Sequence, residues 1–410
     1  FSRVARILNG GGQLKSWQLH RLQSTVASVE TTEKYTIGDL PGVRVVALQR
    51  PEEANSLDVD LARKLESRLA LWEENVIVNA VILRGKKDVF CGGVDLDWLS
   101  EHRDQAEDLY AALNDLYSRV ANYRKPLITM LDGNIGGGGL GLAANSAFCM
   151  VTDETRFTVP EPNFGLVPDG PLIHMLGASD AVTGVPYGRL ASLCGATLEG
   201  HDLCSMGLAS YMVAHNGIMD DVAEYLTGLD EKSNVRESLK KALSLHSQWQ
   251  SETDEMSEVD KLMRDETVAG LFDLGSGSTY NFDVAEKTSP LSSPDMQKAI
   301  KDVFSKKSVE EIYEHVEAME APWAQEWLTG LQRSPPVALK ATLRLFEESE
   351  GRSSEDSMAL SQLVAGRLAR ATEFDLTVTH ALAGTDRPGT TLADLRAVPD
   401  DEIDALFDRA

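Results

Sequence analysis

The chain of 410 residues is 42% hydrophobic and 25% charged, the balance of a globular protein, and it is long enough for two structural units. Its net charge of −25 argues against a broad nucleic-acid-binding surface, because contacts to phosphate groups need patches of Lys and Arg. The longest apolar runs, such as residues 79–83, are far shorter than the roughly 20 residues of a membrane span. We therefore expect a soluble protein without a membrane partner.

Residues 1–34 are predicted to form a basic arm. The first acidic residue is Glu30, and the preceding stretch is rich in Ser, Gln and Leu. Its basic residues are Arg3, Arg6, Lys15 and Arg21. This composition is typical of a mitochondrial presequence and lacks the apolar core of a secretory signal, so it predicts the mitochondrial matrix. A flexible basic tail is the alternative.

The cysteine and histidine patterns argue against disulfides and metal. The four cysteines form no CxxC pair and have apolar or small neighbours, which predicts reduced, mostly buried thiols. They are Cys91, Cys149, Cys194 and Cys204. The eight histidines show no ligand spacing, so we expect no metal site.

Residues 35–235 alternate between strand and helix patterns. Buried or alternating apolar runs predict strands over 43–51, 78–85, 125–133 and, as a pair, 147–161. Amphipathic spacing predicts helices over 56–75 and 110–123. Repetition of this kind indicates an α/β fold, in which helices cover a parallel sheet.

The remainder of the chain has a different character. Residues 236–295 are predicted to be an acidic insertion or linker and not a site, because 251–266 carry seven acids and two bases. Residues 296–410 are predicted to be helical. Within them Ser334 is the expected N-cap of a helix over 334–348, and 393–407 are expected to form one short helix.

Four consecutive glycines stand in "GNIGGGGLGL", residues 133–142. A phosphate-binding loop would need GxGxxG, or GxxxxGK[ST] with its lysine, and neither pattern is present. A simple tight turn would need only one or two glycines. We therefore favour a strand-to-helix turn whose bare N–H groups bind a developing oxyanion. A second such donor is available in "DVFCGGVDLDWLS", residues 88–100, where glycines again separate a strand from a helix.

Five motifs in order resemble the crotonase (enoyl-CoA hydratase/isomerase) superfamily and, within it, the 3-hydroxyisobutyryl-CoA hydrolases. The resemblance covers residues 35–405, and 230–290 match poorly. It implies a crotonase-like spiral of ββα repeats over residues 35–235, followed by a helical C-terminal region. The motifs are "FCGGVDL" (90–96), "DGNIGGGGLGL" (132–142), "VPEPNFGLVPDG" (159–170), "GATLEGHDLCSMGLASYMV" (195–213) and "SPPVALKATLRLFEE" (334–348).

The resemblance also implies roles for individual residues. The backbone N–H groups of Val94 and Gly138 would form an oxyanion hole, and Glu161 and Asp169 would be the catalytic carboxyl groups. Hydratases carry a second glutamate where this chain has Gly141, which favours hydrolysis of a thioester. The residues expected to contact the acyl-CoA substrate are Gly93, Asp95, Gly137 and Gly139.

Other interpretations of the two acids stay open. Glu161 would alternatively be a solvated turn carboxylate, and Asp169 a helix N-cap. CoA belongs to the substrate in the implied reaction, so no cofactor is expected. The CoA would lie across the glycine turns, with its adenine near the start of the helix that follows Asp95.

Three positions depart from the family pattern: Leu113, where a substrate-contacting glutamate is expected, Pro171 in a glycine-rich loop, and Thr379 in place of an arginine. They open a second hypothesis, a catalytically reduced or inactive homologue that serves as a structural subunit of the mitochondrial ribosome small subunit. Its partners would be ribosomal proteins, and rRNA through the basic arm. The first hypothesis is a mitochondrial hydrolase of a short acyl-CoA thioester, of the valine-catabolism type, with a homo-oligomer possible.

Overall fold

The structure is a computed structural model that describes residues 28–86, 88–144, 146–214, 217–228, 234–246, 289–385 and 387–408. Most of the predicted basic arm and the acidic stretch 251–266 lie outside these residues. No helix in the described part of the chain is long and apolar enough to cross a membrane.

The strands of the described residues form two sheets. The larger sheet has the order β1-β2-β3-β4-β6-β8-β11 and the smaller one β10-β9-β7-β5. All neighbours are parallel except β1–β2, β2–β3 and β9–β10. In chain order the strands are β1 (Ser28–Thr31), β2 (Tyr35–Leu40), β3 (Val43–Leu48), β4 (Ala80–Arg84), β5 (Val89–Cys91), β6 (Leu127–Leu131), β7 (Asn134–Gly136), β8 (Phe148–Val151), β9 (Arg156–Thr158), β10 (Leu198–Glu199) and β11 (Tyr211–Met212).

Three successive strand pairs build a spiral. In β4–β5, β6–β7 and β8–β9 the first strand lies in the larger sheet and the second in the smaller sheet. The chain turns sharply between the two, and at Gly133 the backbone φ is +74°. A Cβ atom there would lie 2.1 Å from the carbonyl oxygen of Asp88, so only glycine fits this corner. The predicted spiral of ββα repeats is confirmed.

Helices return the chain between the pairs and fill the C-terminal half. In α1, Asp58 caps the N-terminus by accepting a hydrogen bond from the backbone N–H of Leu61. The helices are α1 (Val59–Glu74), α2 (Leu96–Glu101), α3 (Ala106–Ala121), α4 (Gly138–Ala144), α5 (Leu172–Thr183), α6 (Tyr187–Cys194), α7 (Gly200–Ser205), α8 (Ile218–Thr227), α9 (Val235–His246), α10 (Pro294–Phe304), α11 (Val309–Glu317), α12 (Pro322–Arg333), α13 (Pro336–Ser349), α14 (Ser354–Leu368), α15 (Thr372–Leu382), α16 (Leu392–Ala397) and α17 (Asp400–Phe407).

The larger sheet is buried on both faces, which explains the continuous apolar runs of its central strands. On one face, Ile82 and Met130 pack with Val222 and Leu226 of α8. The other face belongs to the main core, together with α1, α3 and the C-terminal helices. All four cysteines are buried and free, as the sequence predicts.

Two details of the C-terminal region correct the sequence-based expectations. Ser334 does not cap the helix over 334–348: Pro335 is the N-cap of α13, and the Ser334 hydroxyl instead hydrogen-bonds to Asn163 Oδ1 at 2.9 Å. The segment 393–407 is not one helix but two, α16 and α17, because Pro399 cannot continue a helix and its predecessor favours extended backbone.

Candidate active site

The candidate site lies where three parallel strands of the smaller sheet end. β5 is followed by Gly92 and Gly93, β7 by Gly137 and Gly138, and β9 leads into Glu161. The carboxyl ends of parallel strands lie at one edge of a sheet, so these segments meet although they are far apart in sequence. A Cβ atom on Gly93, where φ is +84°, would lie 3.1 Å from the backbone nitrogen of Gly138. The two predicted glycine turns therefore contact each other.

Glu161 begins a short 3-10 turn, Glu161–Phe164, and its side chain points into the protein. The residue is only 4% exposed, and its Oε1 accepts a hydrogen bond from the backbone N–H of Gly138 at 3.2 Å. The carboxyl group rests on Gly137, where a Cβ atom would lie 1.3 Å from the same oxygen. The alternative of a solvated turn carboxylate is therefore wrong.

Asp169 lies beside the same glycines. It is 1% exposed, and its Oδ2 accepts a hydrogen bond from the hydroxyl of Tyr117 at 3.4 Å. Its Oδ1 would lie 2.8 Å from a Cβ atom on Gly138. The alternative interpretation as a helix N-cap is wrong, because Pro171 is the N-cap of α5 and no side chain caps that helix.

Burial and mutual repulsion separate the pKa values of the two acids. Burial, reinforced by the negative charge of Asp169, raises the pKa of Glu161 well above its usual range. Burial also raises the pKa of Asp169, but only to about 6, because polar interactions with its own backbone, with Tyr117 and with Glu161 favour its charged form. These shifts favour a pair in which Glu161 keeps its proton more readily than Asp169.

The other predicted site residues contact their own neighbours in the fold. Val94 is buried and forms a β-bridge with Leu57, which holds the first glycine turn. Gly139 lies against backbone: a Cβ atom there would be 2.2 Å from the carbonyl oxygen of Cys91. Asp95 caps α2 and forms an ion pair with Arg50, with 3.3 Å between Oδ2 and Nη2. These contacts hold the fold in place. That Asp95 and Gly139 contact the substrate stays a prediction.

The three positions that depart from the family pattern lie in different surroundings. Leu113 is fully buried in the face of α3 that packs on the core. The ring of Pro171 would lie 3.1 Å from a Cβ atom on Gly141. Thr379, by contrast, is exposed on α15.

Tyr117 is the site residue that the sequence reasoning missed. It lies one helical turn after Leu113 on the same face of α3 and is completely buried. Its ring contacts the loop before α5, since a Cβ atom on Gly170 would be 2.4 Å from Cε2. Its spacing from Leu113 was an available signal, but a tyrosine at that spacing is typical of an ordinary core position.

Comparison with known proteins decides the family. The family model described as "Enoyl-CoA hydratase/isomerase" matches residues 43–276 and 277–407. The chain belongs to this family. The rat protein named "3-hydroxyisobutyryl-CoA hydrolase, mitochondrial" is 25% identical over 88% of this chain and 86% of its own length. The Arabidopsis thaliana protein named "3-hydroxyisobutyryl-CoA hydrolase-like protein 5" is 26% identical over 80% of this chain and 75% of its own length.

Solved structures agree on the fold. A carnitinyl-CoA dehydratase from Mycobacterium thermoresistibile superposes with a TM-score of 0.72 at 23% identity, covering 92% of this chain and 97% of that one. An enoyl-CoA hydratase from Rhodobacter sphaeroides superposes with a TM-score of 0.68 at 22% identity, covering 91% and 97%. At these identities the structural similarity shows the crotonase fold but does not identify the reaction.

Proposed function

We propose that this family member hydrolyses a short acyl-CoA thioester in the mitochondrial matrix, as a hydrolase of the 3-hydroxyisobutyryl-CoA type. The observation that carries the proposal is the buried pair of carboxyl groups beside the backbone N–H of Gly138, in which burial raises the pKa of Glu161 more strongly than that of Asp169. Such a division between two acids is the arrangement that combined acid and base catalysis requires. The names of the relatives from rat and Arabidopsis thaliana support the same substrate class and, for the rat protein, the compartment.

Hydrolysis adds the elements of water across the bond between the carbonyl carbon and sulfur. The thioester oxygen would accept hydrogen bonds from the N–H groups of Val94 and Gly138, which stabilise the negative charge of the tetrahedral intermediate. Asp169 takes the proton of Glu161. The Glu161 carboxylate then removes a proton from water as the water oxygen attacks the carbonyl carbon. The C–S bond breaks, and the thiolate takes the proton held by Asp169.

A covalent route uses the same residues. The Glu161 carboxylate would attack the carbonyl carbon directly and form an anhydride, which water then cleaves. In both routes the carboxyl group of Glu161 first leaves the N–H of Gly138, because one amide cannot serve the carboxyl group and the thioester oxygen at once.

A second candidate function is a structural one, and one observation favours it. The ring of Tyr117 lies against Gly170 and the ring of Pro171 against Gly141, so side chains occupy the region beside the acids. A homologue with reduced activity that serves as a subunit of the mitochondrial ribosome small subunit would tolerate this filling. In that case the two acids would be present but would not catalyse a reaction.

The test is release of CoA from 3-hydroxyisobutyryl-CoA by the full chain and by its Glu161→Gln variant. The proposal expects turnover that falls by about 10²- to 10⁴-fold in Glu161→Gln. The matched control is Glu326→Gln, which changes an exposed glutamate on α12 and should leave turnover unchanged. No turnover from well-folded wild-type protein would exclude the hydrolase, and co-sedimentation with mitochondrial ribosomes would then test the structural role.

A further inference from the structure

We infer that Tyr117 is a positioning residue of the acid pair: its hydroxyl donates a hydrogen bond to Asp169 and stabilises the charged form of that carboxyl group. The catalytic consequence rests on the proposed hydrolase activity, whereas the effect on the acid pair itself does not. Nothing in the family motifs points to this residue, which comes from the middle of α3.

The geometry places the Tyr117 hydroxyl at the centre of the site. The oxygen lies 3.4 Å from Asp169 Oδ2 and would lie 2.4 Å from a Cβ atom on Gly138. The hydroxyl thus lies close to both Gly138 and the carboxyl group of Asp169. The tyrosine is 0% exposed, so its hydroxyl cannot turn to solvent, and burial together with the Asp169 charge raises its own pKa well above the usual range. It therefore acts as a neutral donor throughout the physiological range.

The groups that face Asp169 leave Tyr117 few substitutes. Tyr110 and Tyr117 face it from α3, Cys91 from β5, and Glu161 from the turn after β9. Burial raises the pKa of all of these groups, that of the Cys91 thiol to about 12, and so favours their neutral forms. The polar interactions that favour the charged form of Asp169 come from its own backbone, Tyr117 and Glu161. In the described part of the chain, only the Tyr117 hydroxyl makes a hydrogen bond to this side chain, at Oδ2, and Oδ1 is buried without a partner. Among the described residues no ion pair with Lys or Arg stabilises this carboxylate.

The direction of the effect follows from this balance. A donated hydrogen bond stabilises the carboxylate and lowers the pKa of Asp169. Removing the hydroxyl in Tyr117→Phe leaves burial as the dominant influence, so the acid pair keeps its second proton to higher pH. Because the pair titrates as a unit, the measured quantity is the apparent value of the pair. We expect a shift of roughly 0.5–1 pH unit, below that of a short charge-assisted bond because the distance is long.

Two measurements on the full chain test the inference. The first is the pH profile of kcat/KM for thioester hydrolysis, whose acid limb should move to higher pH in Tyr117→Phe. The second needs no substrate: urea unfolding at pH 5 and pH 8 should show that Tyr117→Phe loses more stability at pH 8, where Asp169 is charged. In the Asp169→Asn background, Tyr117→Phe should lose equal stability at both pH values.

The matched control is Tyr123→Phe, just beyond the end of α3. The Tyr123 hydroxyl is buried and has no hydrogen-bond partner among the described residues. Burial and the charge of Glu73 raise its pKa, and the acid pair does not contribute. Its removal should leave the acid limb in place. Equal losses at pH 5 and pH 8 in Tyr117→Phe, with an unmoved acid limb, would overturn the inference. A wild-type chain without turnover would overturn the hydrolase proposal alone, because the unfolding measurement still decides the role of Tyr117.

Discussion

The backbone N–H of Gly138 donates a hydrogen bond to Oε1 of Glu161 at 3.2 Å. The amide that is expected to bind a thioester oxygen is thus occupied by the carboxyl group that is expected to attack it or to activate water. A bound thioester has to displace this carboxyl group, which couples substrate binding to the release of Glu161 for chemistry.

Gly137 keeps the contact between these residues possible. A Gly137→Ala methyl group would lie 1.3 Å from Glu161 Oε1, at a backbone φ of +35°. We expect this variant to displace Glu161 and to lose at least 100-fold in kcat/KM. Gly207→Ala is the control, because φ there is +71° and no atom lies within 4 Å of its Cβ position. It should lose roughly 1 kcal/mol of stability from the backbone conformation and no activity. Equal turnover in the two variants would contradict the prediction.

The acid pair should make stability depend on pH. Glu161 and Asp169 both have raised pKa values in the folded protein, Asp169 to about 6 and Glu161 well above its usual range. From about pH 4 to above pH 6 the folded state therefore binds more protons than the unfolded state. Their contribution to the free energy of unfolding is therefore greatest at low pH and falls as the pH rises through this window. Glu161→Gln removes the proton-binding group. The free energy of unfolding of this variant minus that of wild type should therefore be greater at pH 8 than at pH 5, by roughly 1–3 kcal/mol.

Urea unfolding at the two pH values measures this difference. Glu326→Gln, at an exposed position, should change stability equally at both pH values. A Glu161→Gln variant whose stability relative to wild type is the same at pH 5 and pH 8 would contradict a buried, proton-holding Glu161.

Pro171 should restrict the size of the acyl group. Its Cγ and Cδ atoms would lie 3.1 Å from a Cβ atom on Gly141, and its backbone φ of −78° and ψ of −3° are accessible to alanine. Pro171→Ala therefore opens space without forcing the backbone. We expect kcat/KM for 3-hydroxyisobutyryl-CoA to rise about tenfold relative to acetyl-CoA, the effect typical of about one methylene group in a pocket. Pro186→Ala, at the N-cap of α6, should leave this ratio unchanged, and an unchanged ratio in both variants would refute the prediction.

The C-terminal region should support the site through one hydroxyl group. Ser361 on α14 is fully buried, and its hydroxyl lies 3.1 Å from the carbonyl oxygen of Gly170, next to Asp169, and 3.0 Å from that of Met358 in its own helix. Ser361→Ala should lose about 1 kcal/mol of stability and lower kcat several-fold, because the loop that carries Asp169 is less firmly held. Ser357→Ala, one turn earlier, is the control. In the part of the chain that the structure describes, the buried Ser357 hydroxyl has no hydrogen-bond partner, so its loss should be neutral or stabilising and leave kcat as in wild type. Thermal unfolding and initial rates compare the two.

Several strands and helices could be predicted because the residue pattern within each short stretch specifies them. The apolar runs that became β3, β4 and β6 and the amphipathic spacing of α1 needed only the periods of strands and helices. The predictions were wrong at Ser334 and in the C-terminal tail, where proline residues changed the positions at which helices begin and end. Adjacent prolines moved the N-cap of α13 to Pro335, and Pro399 divided the last helix.

By itself the sequence determined the family, the order of strands and helices, and the two acids to examine, because motif spacing and side-chain periodicity are properties of short stretches. Only the tertiary structure decided that Glu161 accepts a hydrogen bond from the backbone N–H of Gly138 and that the Tyr117 hydroxyl donates one to Asp169. These contacts join residues 23 and 52 positions apart in the chain. The protonation of the acid pair was decided there too, since burial and the distance between two charges exist only once the chain has folded.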